Sequence, residues 1–131
     1  MKGVIINFSG HSLCREAKAD LALRFETIID AEWPEFDFDE CVVSQIEAAI
    51  CAIPIHLDGT APVTIIPPGQ STLAILLVSF LHGMLGHFPQ VCYLERNGFG
   101  LYVPKFDDDI DLQGTRSAGR RLRLKARNSR I

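Results

Sequence analysis

The sequence predicts an α/β domain of three layers, with a mainly parallel sheet, an antiparallel hairpin at its edge and a basic C-terminal helix. Three observations carry that reading. Short β-branched runs alternate with segments of helical period, as in repeated βα units. Small polar or Pro-Gly turns stand where each run gives way to a helix, and Asn97-Gly98 separates two apolar stretches, a hairpin signal. With 131 residues, a single domain over 1–131 is expected.

The first run, Val4 to Phe8, is apolar except for Asn7 and ends at Ser9-Gly10-His11-Ser12. Leu13, Ala17, Leu21, Phe25 and Ile28 then recur at helical spacing, with Arg15, Glu16, Lys18 and Asp20 opposite them, so a first amphipathic helix follows. Residues 27–33 read as an edge strand with one wet face, because Asp30 and Glu32 interrupt it. Between Glu26 and Glu40 seven of fifteen residues are acidic and Pro34 breaks any regular element, so a solvated link is expected. Asp37 and Glu40 have the spacing of a capping pair for a second helix whose inner face is Val43, Ile46, Ala49, Ile50 and Ile53, ended by Pro54.

Val63 to Ile66 is a β-branched run bounded by Pro and Gly, the pattern of a strand covered on both faces. Pro67, Pro68 and Gly69 stop it, and Gln70, Ser71 and Thr72 offer caps for the helix that follows. From Leu73 to Leu81 only Ser79 is polar, so that helix is expected to be buried; a run this short cannot cross a bilayer, which needs about 20 residues. Gly83, Gly86 and His87-Phe88-Pro89 close it. Residues 90–96 and 99–104 read as the two strands of the hairpin. In the last helix, over about 113–127, Arg116, Arg120, Arg123 and Arg127 share one face while Ala118, Leu122 and Ala126 share another.

The charge distribution is polarised. All 16 acidic residues lie at or before Asp111 and seven of the 13 basic ones follow it, so residues 1–112 carry −10 and the remainder +7. A tail of this kind can dock on its own body, pair with a second copy or meet a polyanion. No aromatic residue is interleaved with its arginines, which favours protein contacts over a long nucleic acid. The four cysteines form no CxxC pair and the N-terminus has no signal-peptide pattern, so reduced thiols and a cytoplasmic location are expected, with no membrane partner.

In a parallel sheet, ligands bind outside the carboxyl ends of the strands where strand order reverses. Two junctions fall at strand carboxyl ends: Asn7, Ser9, Gly10, His11 and Ser12 form one, and Pro68, Gly69, Gln70, Ser71 and Thr72 the other. They are expected to face one crevice. Their amides, hydroxyls and helix N-terminus suit phosphate, and Asn7 and Gln70 can read a base edge or ribose. The same residues also serve as ordinary turns and caps. Neither loop contains Lys or Arg, which disfavours triphosphate transfer and leaves room for a phosphodiester. His11 is the candidate general base or stacking group. His82 and His87, five apart, do not form a zinc pair of the i, i+4 type, and the acidic run Asp107, Asp108, Asp109 and Asp111 lacks the pattern of a calcium loop; no metal or cofactor is expected. The stretches NFSGHS and PPGQST do not have the GxSxG form of a nucleophile elbow.

The opening INFSGH, the turn PPGQS entering an apolar helix and the helix end LHGMLGHFP, followed by the hairpin and basic helix, resemble a small CRISPR-associated family, the fifteenth in the series named Csx. The likeness runs over nearly the whole chain. It implies a Rossmann-like fold related to the domains that sense cyclic oligoadenylate, and a protein encoded beside type III CRISPR systems in antiviral defence. It further implies a binder that sequesters cyclic tetra-adenylate, where sister families are ring nucleases that cleave it. Carried over by position, Asn7, Ser9, Gly10, His11 and Ser12 would form the first ligand loop and Pro68, Gly69, Gln70, Ser71 and Thr72 the second. His82, Gly83, Gly86, His87 and Phe88 match the third motif. A cyclic tetranucleotide is too wide for one small domain, so a homodimer is expected, or a filament if each copy offers a ligand face at both ends. With His11 and no cation in the loops, holding the ring is expected over cutting it. The alternatives are a metal-independent ring nuclease using His11 or a loop serine to position the 2′-OH, and an assembly protein whose basic helix pairs with a neighbour's acidic body.

Overall fold

Alternating apolar residues fix the layers. The computed structural model describes residues 3–32, 35–106 and 110–129. Four parallel strands form the main sheet: β1 (Val4–Asn7), β2 (Thr27–Asp30), β3 (Val63–Ile66) and β4 (Gln90–Val91), in the order β2-β1-β3-β4. In β1 and β3 every residue is buried, as strands covered on both faces require. Val4 and Ile6 of β1, with Val63 and Ile65 of β3, turn to one side, where they meet Ile46 and Ile50 of α2 (Val42–Cys51) and the leucines of α3 (Ser71–Leu85). Ile5 and Ile66 turn to the other side and pack with Ala17 and Leu21 of α1 (Arg15–Arg24) and with Cys92. The result is the three-layer α/β arrangement that alternating βα units predict.

The edge strand falls where Asp30 and Glu32 placed it: β2 lies at one end of the sheet, paired only with β1. Trp33 and Pro34, the end of that expected strand and the break after it, lie outside the described residues. The run at 90–96 divides between two sheets at Cys92, whose side chain is fully buried and whose backbone N–H donates to Ile65 O (2.8 Å). Residues before it pair parallel with β3. Those after it form β5 (Tyr93–Arg96), which pairs antiparallel with β6 (Tyr102–Lys105) as a separate two-stranded sheet over the α1 side. The connection is longer than the two residues Asn97-Gly98 suggest, because the Asn97 side chain organises it: its Oδ1 accepts from the backbone N–H of Phe99 (2.9 Å) and of Leu101 (3.1 Å).

Two expectations need correction. Asp37 and Glu40 do not cap α2; the N-cap is Cys41, which makes no side-chain cap bond. Gln45 reaches back instead, donating through Nε2 to Asp37 O (2.8 Å) and Cys41 O (3.2 Å) while its Oε1 accepts from Asp37 N (2.9 Å). A side chain within the helix thus ties down the acidic approach to it. The second correction concerns α3, which is apolar nearly all round yet buried along one stripe only: Leu73, Leu77, Leu81 and Leu85, four apart on one face. On the outer side Ile75 is 67% exposed. Leu76, Val78 and Phe80 are half-buried. The sheet has helices on its two faces, and among the described residues the far side of α3 is covered only in part.

The chain ends in α4 (Leu112–Ser129). From Gln113 to Asn128 only Ser117 and Ala126 are half-buried and the rest are exposed. Its one-sided arrangement of arginines and alanines is the amphipathic pattern without a surface beneath it.

Candidate functional site

The two strand ends that point to a crevice are neighbours in the sheet. β1 and β3 pair in register, Asn7 opposite Ile66, and the chain leaves β1 toward β2 on one side while β3 lies on the other. Strand order reverses between them, which is where an open α/β sheet leaves a cleft. A cavity of about 280 Å³ opens there, lined by Ser9, His11, Pro67, Pro68 and Gly69 from the two loops and by Tyr93, Leu94 and Tyr102 from the hairpin. Both loops therefore face one crevice, and the hairpin walls it.

The first loop is built around Asn7. Its side chain is almost wholly buried, 4% exposed, and uses both ends. Nδ2 donates to His11 O (2.8 Å) and to Asp30 Oδ1 (3.0 Å), while Oδ1 accepts from Ser9 N (3.0 Å) and Ser9 Oγ (2.6 Å). Ser9 Oγ in turn accepts from His11 N (3.1 Å). Asp30 is held from its other side by Lys18, 3.4 Å away. Asn7 thus folds the loop and has no free end with which to read a base. Gly10 sits at φ +78°, left-handed backbone that a side chain disfavours, and open space surrounds the place a Cβ would take. Ser12 is exposed and does not line the cavity.

In the second loop Pro68 is buried and Gly69 is exposed at the cavity mouth. Gly69 is not in the left-handed region and nothing lies within 4 Å of where a Cβ would stand. Its lack of a side chain keeps the mouth open and meets no demand of the backbone. Gln70 is the N-cap of α3, its Oε1 accepting from Leu73 N (2.6 Å). Ser71 and Thr72, exposed in the first turn, stand at the positive end of the helix dipole and outside the cavity lining.

The residues that sequence reading missed come from the hairpin. The rings of His11 and Tyr102 stack, 4.3 Å between centroids and 21° between planes, so the histidine forms one wall of the cavity with a tyrosine behind it. The Arg96 guanidinium stands over the same Tyr102 ring, 5.2 Å from its centroid. A cation, absent from both loops, thus stands on β5 against the Tyr102 wall, 85 positions along the chain from His11, without lining the cavity itself. A hairpin has no strand-to-helix junction, so its sequence carried one signal only, two tyrosines and an arginine on strands flanking a turn, with Arg96 and Tyr102 paired across it.

The third motif lies at the other end of α3 and outside this cavity. Gly86 takes the left-handed C-cap position (φ 81°) and its N–H donates to His82 O (2.9 Å), while the His82 ring packs on Phe88 at 4.2 Å. His87 Nδ1 lies 3.2 Å from Phe88 O. Those contacts end the helix and turn the chain toward β4.

Among the described residues no group of three or more His, Cys, Asp or Glu is placed to hold a metal ion, and no helix is long and apolar enough to cross a membrane. Asp107, Asp108 and Asp109, the core of the acidic run, lie outside the described residues. The four cysteines are unpaired. Comparison with protein-family models, with curated proteins and with solved structures gives no match.

Proposed function

We propose that this chain binds a cyclic oligoadenylate, cyclic tetra-adenylate in particular, and holds it intact, so damping type III CRISPR signalling. The observation that carries the reading is the crevice at the strand-order reversal, bounded on one side by loops rich in hydroxyls and amides and on the other by the stacked His11 and Tyr102. An aromatic face accepts a purine by stacking, worth about 1–3 kcal/mol per base, and the amides at the start of α3 favour the phosphodiester beside it. A cavity of about 280 Å³ lies below the roughly 300–1,000 Å³ of pockets that enclose a drug-sized ligand, which suits one adenylate and not a ring of four. Two copies meeting the ring across its symmetry axis would supply the remaining contacts, so the binding form is a homodimer. In this reading Ser9, His11, Pro68 and Gly69 contact ligand, Ser71 and Thr72 border its phosphates, and Asn7, Gly10, Ser12 and Gln70 shape the loops.

Arg96 favours a second reading. A ring nuclease without a metal needs a ribose 2′-OH in line with the adjacent phosphorus and a cation for the developing charge. His11 as base and Arg96 as cation are near one Tyr102 ring. Attack of the 2′-oxygen would displace the 5′-oxygen and leave a 2′,3′-cyclic phosphate. The two readings part on one experiment: incubation of cyclic tetra-adenylate with excess protein, followed by mass analysis. Intact ring recovered from a tight complex is the expected result. Linear product bearing a 2′,3′-cyclic phosphate, abolished by Arg96→Ala, would replace sequestration with cleavage. Absence of any complex at micromolar concentration would remove both.

A further inference from the structure

From the charge and burial of α4 we infer that this helix is an assembly element that docks in the groove between β2 and α2 of a second copy of the chain. α4 is amphipathic and uncovered: Leu122 is 67% exposed and Leu124 52%. Thr115, Ala118, Leu122 and Ala126 lie along one stripe, small residues around a single large one, and basic residues flank it on both sides. Such a helix fits an apolar groove with an acidic rim.

Among the described residues two grooves combine an apolar lining with acidic residues: one of about 190 Å³ beside Leu57 that carries Glu26 and Asp58, and a larger one between β2 and α2. The larger has a volume of about 480 Å³, and its floor is Ile28, Ala31, Ala49, Ala52, Ile53 and Pro54. Asp30 and Glu32 stand on its rim; Lys18 already pairs with Asp30, and Glu32 is left for a basic partner. The remaining candidate face, the outer side of α3, offers no acid at all over its 15 residues and leaves the arginines unanswered. Size together with an acidic rim therefore selects the groove, and docking there joins a segment of +7 to a body of −10.

Position selects a second copy over the same chain. Ile110 and Asp111, which lead into α4, share a depression with Gln90 and Val91 of β4, whereas the groove lies against β2, and β4 and β2 are opposite edges of the sheet. The groove also opens on the α2 face of the sheet, while the residues before α4 pack near Phe25 and Phe106 on the α1 face. α4 would have to leave the place it occupies to reach its own groove. Reciprocal exchange between two copies satisfies both grooves and closes under a twofold axis.

The inference does not require a nucleotide and is tested without one, so its failure is separable from failure of ligand binding. The full chain, measured by sedimentation equilibrium at low salt, is expected at twice its 14.5 kDa mass. Leu122→Asp, an exposed position that leaves the body intact, is expected to weaken the dimer roughly tenfold or more, as loss of a central apolar anchor does. Raising salt to about 1 M is expected to weaken it as well. Replacing Arg116, Arg120 and Arg123 by Glu is expected to give a monomer, and adding Glu32→Lys in the same chain to recover part of the dimer. A monomeric full chain overturns the inference, as does a dimer that survives Leu122→Asp. So does a dimer that Ile75→Arg on α3 dissociates while Leu122→Asp does not.

Discussion

Asn7 shows how much one side chain can settle. It is a polar residue inside an apolar strand, and its amide satisfies two acceptors and two donors at once, joining β1, β2 and the loop that carries His11. Removing it takes away four part-buried bonds at once and leaves a hole at a buried position, which costs more than a single exposed bond contributes. Asn7→Ala is expected to lower unfolding stability by about 2 kcal/mol, read as a shift of the urea midpoint at unchanged slope. Cysteines give the pH-dependent case. The hydroxyl of Ser44 donates to Cys41 Sγ (3.3 Å) and holds that thiol below its ordinary pKa, whereas burial pushes Cys92 up to about 11. A thiol reagent is expected to modify Cys41 at lower pH than in the Ser44→Ala variant, and to leave Cys92 untouched in the folded chain. The sign for Cys92 follows from its raised value: the unfolded chain loses that proton first. Stability is then complete below the ordinary thiol pKa and declines as pH rises from there toward 11.

Elements differ in how far their sequence declares them. The alternation of Val4, Ile6, Val63 and Ile65 with their neighbours placed the strands and the layers correctly, because a side-chain period of two leaves little freedom once both faces are covered. The edge position of β2 was equally legible in Asp30 and Glu32. α3 misled because its composition is apolar on every side while only one stripe meets the sheet; hydrophobic character records what a surface can bury, and the partner that buries it need not be the same chain. Leu77→Ala is accordingly expected to cost about 2–5 kcal/mol, and Ile75→Ala at most about 0.5 kcal/mol in the monomer, each measured by denaturant unfolding. At the site, the two loops were legible because each stands at a strand-to-helix junction. Tyr93, Arg96 and Tyr102 were not, since their approach to His11 depends on how the hairpin folds over α1, a contact set by Phe106 against Phe25 at 6.0 Å and by buried Cys92.

At the scale of the whole molecule, the crevice, the exposed α4 and the groove beside β2 are the features on which the proposed ligand and the inferred second copy rest. The hairpin bears on the proposed choice between holding and cutting a ring, because it sets Arg96 against the Tyr102 ring on which His11 stacks. Arg96 lies over the Tyr102 ring and outside the cavity lining, so it is not aimed at the place where a cleaved phosphodiester would develop charge. That placement supports the proposal of capture over cleavage. The most direct test is calorimetric titration of cyclic tetra-adenylate into the full chain and into Tyr102→Ala. Binding at micromolar concentration or tighter, one ring to two chains, is expected for the natural sequence, with about a tenfold loss in the variant. No heat of binding, or binding equally strong with Tyr102 removed, would contradict the account.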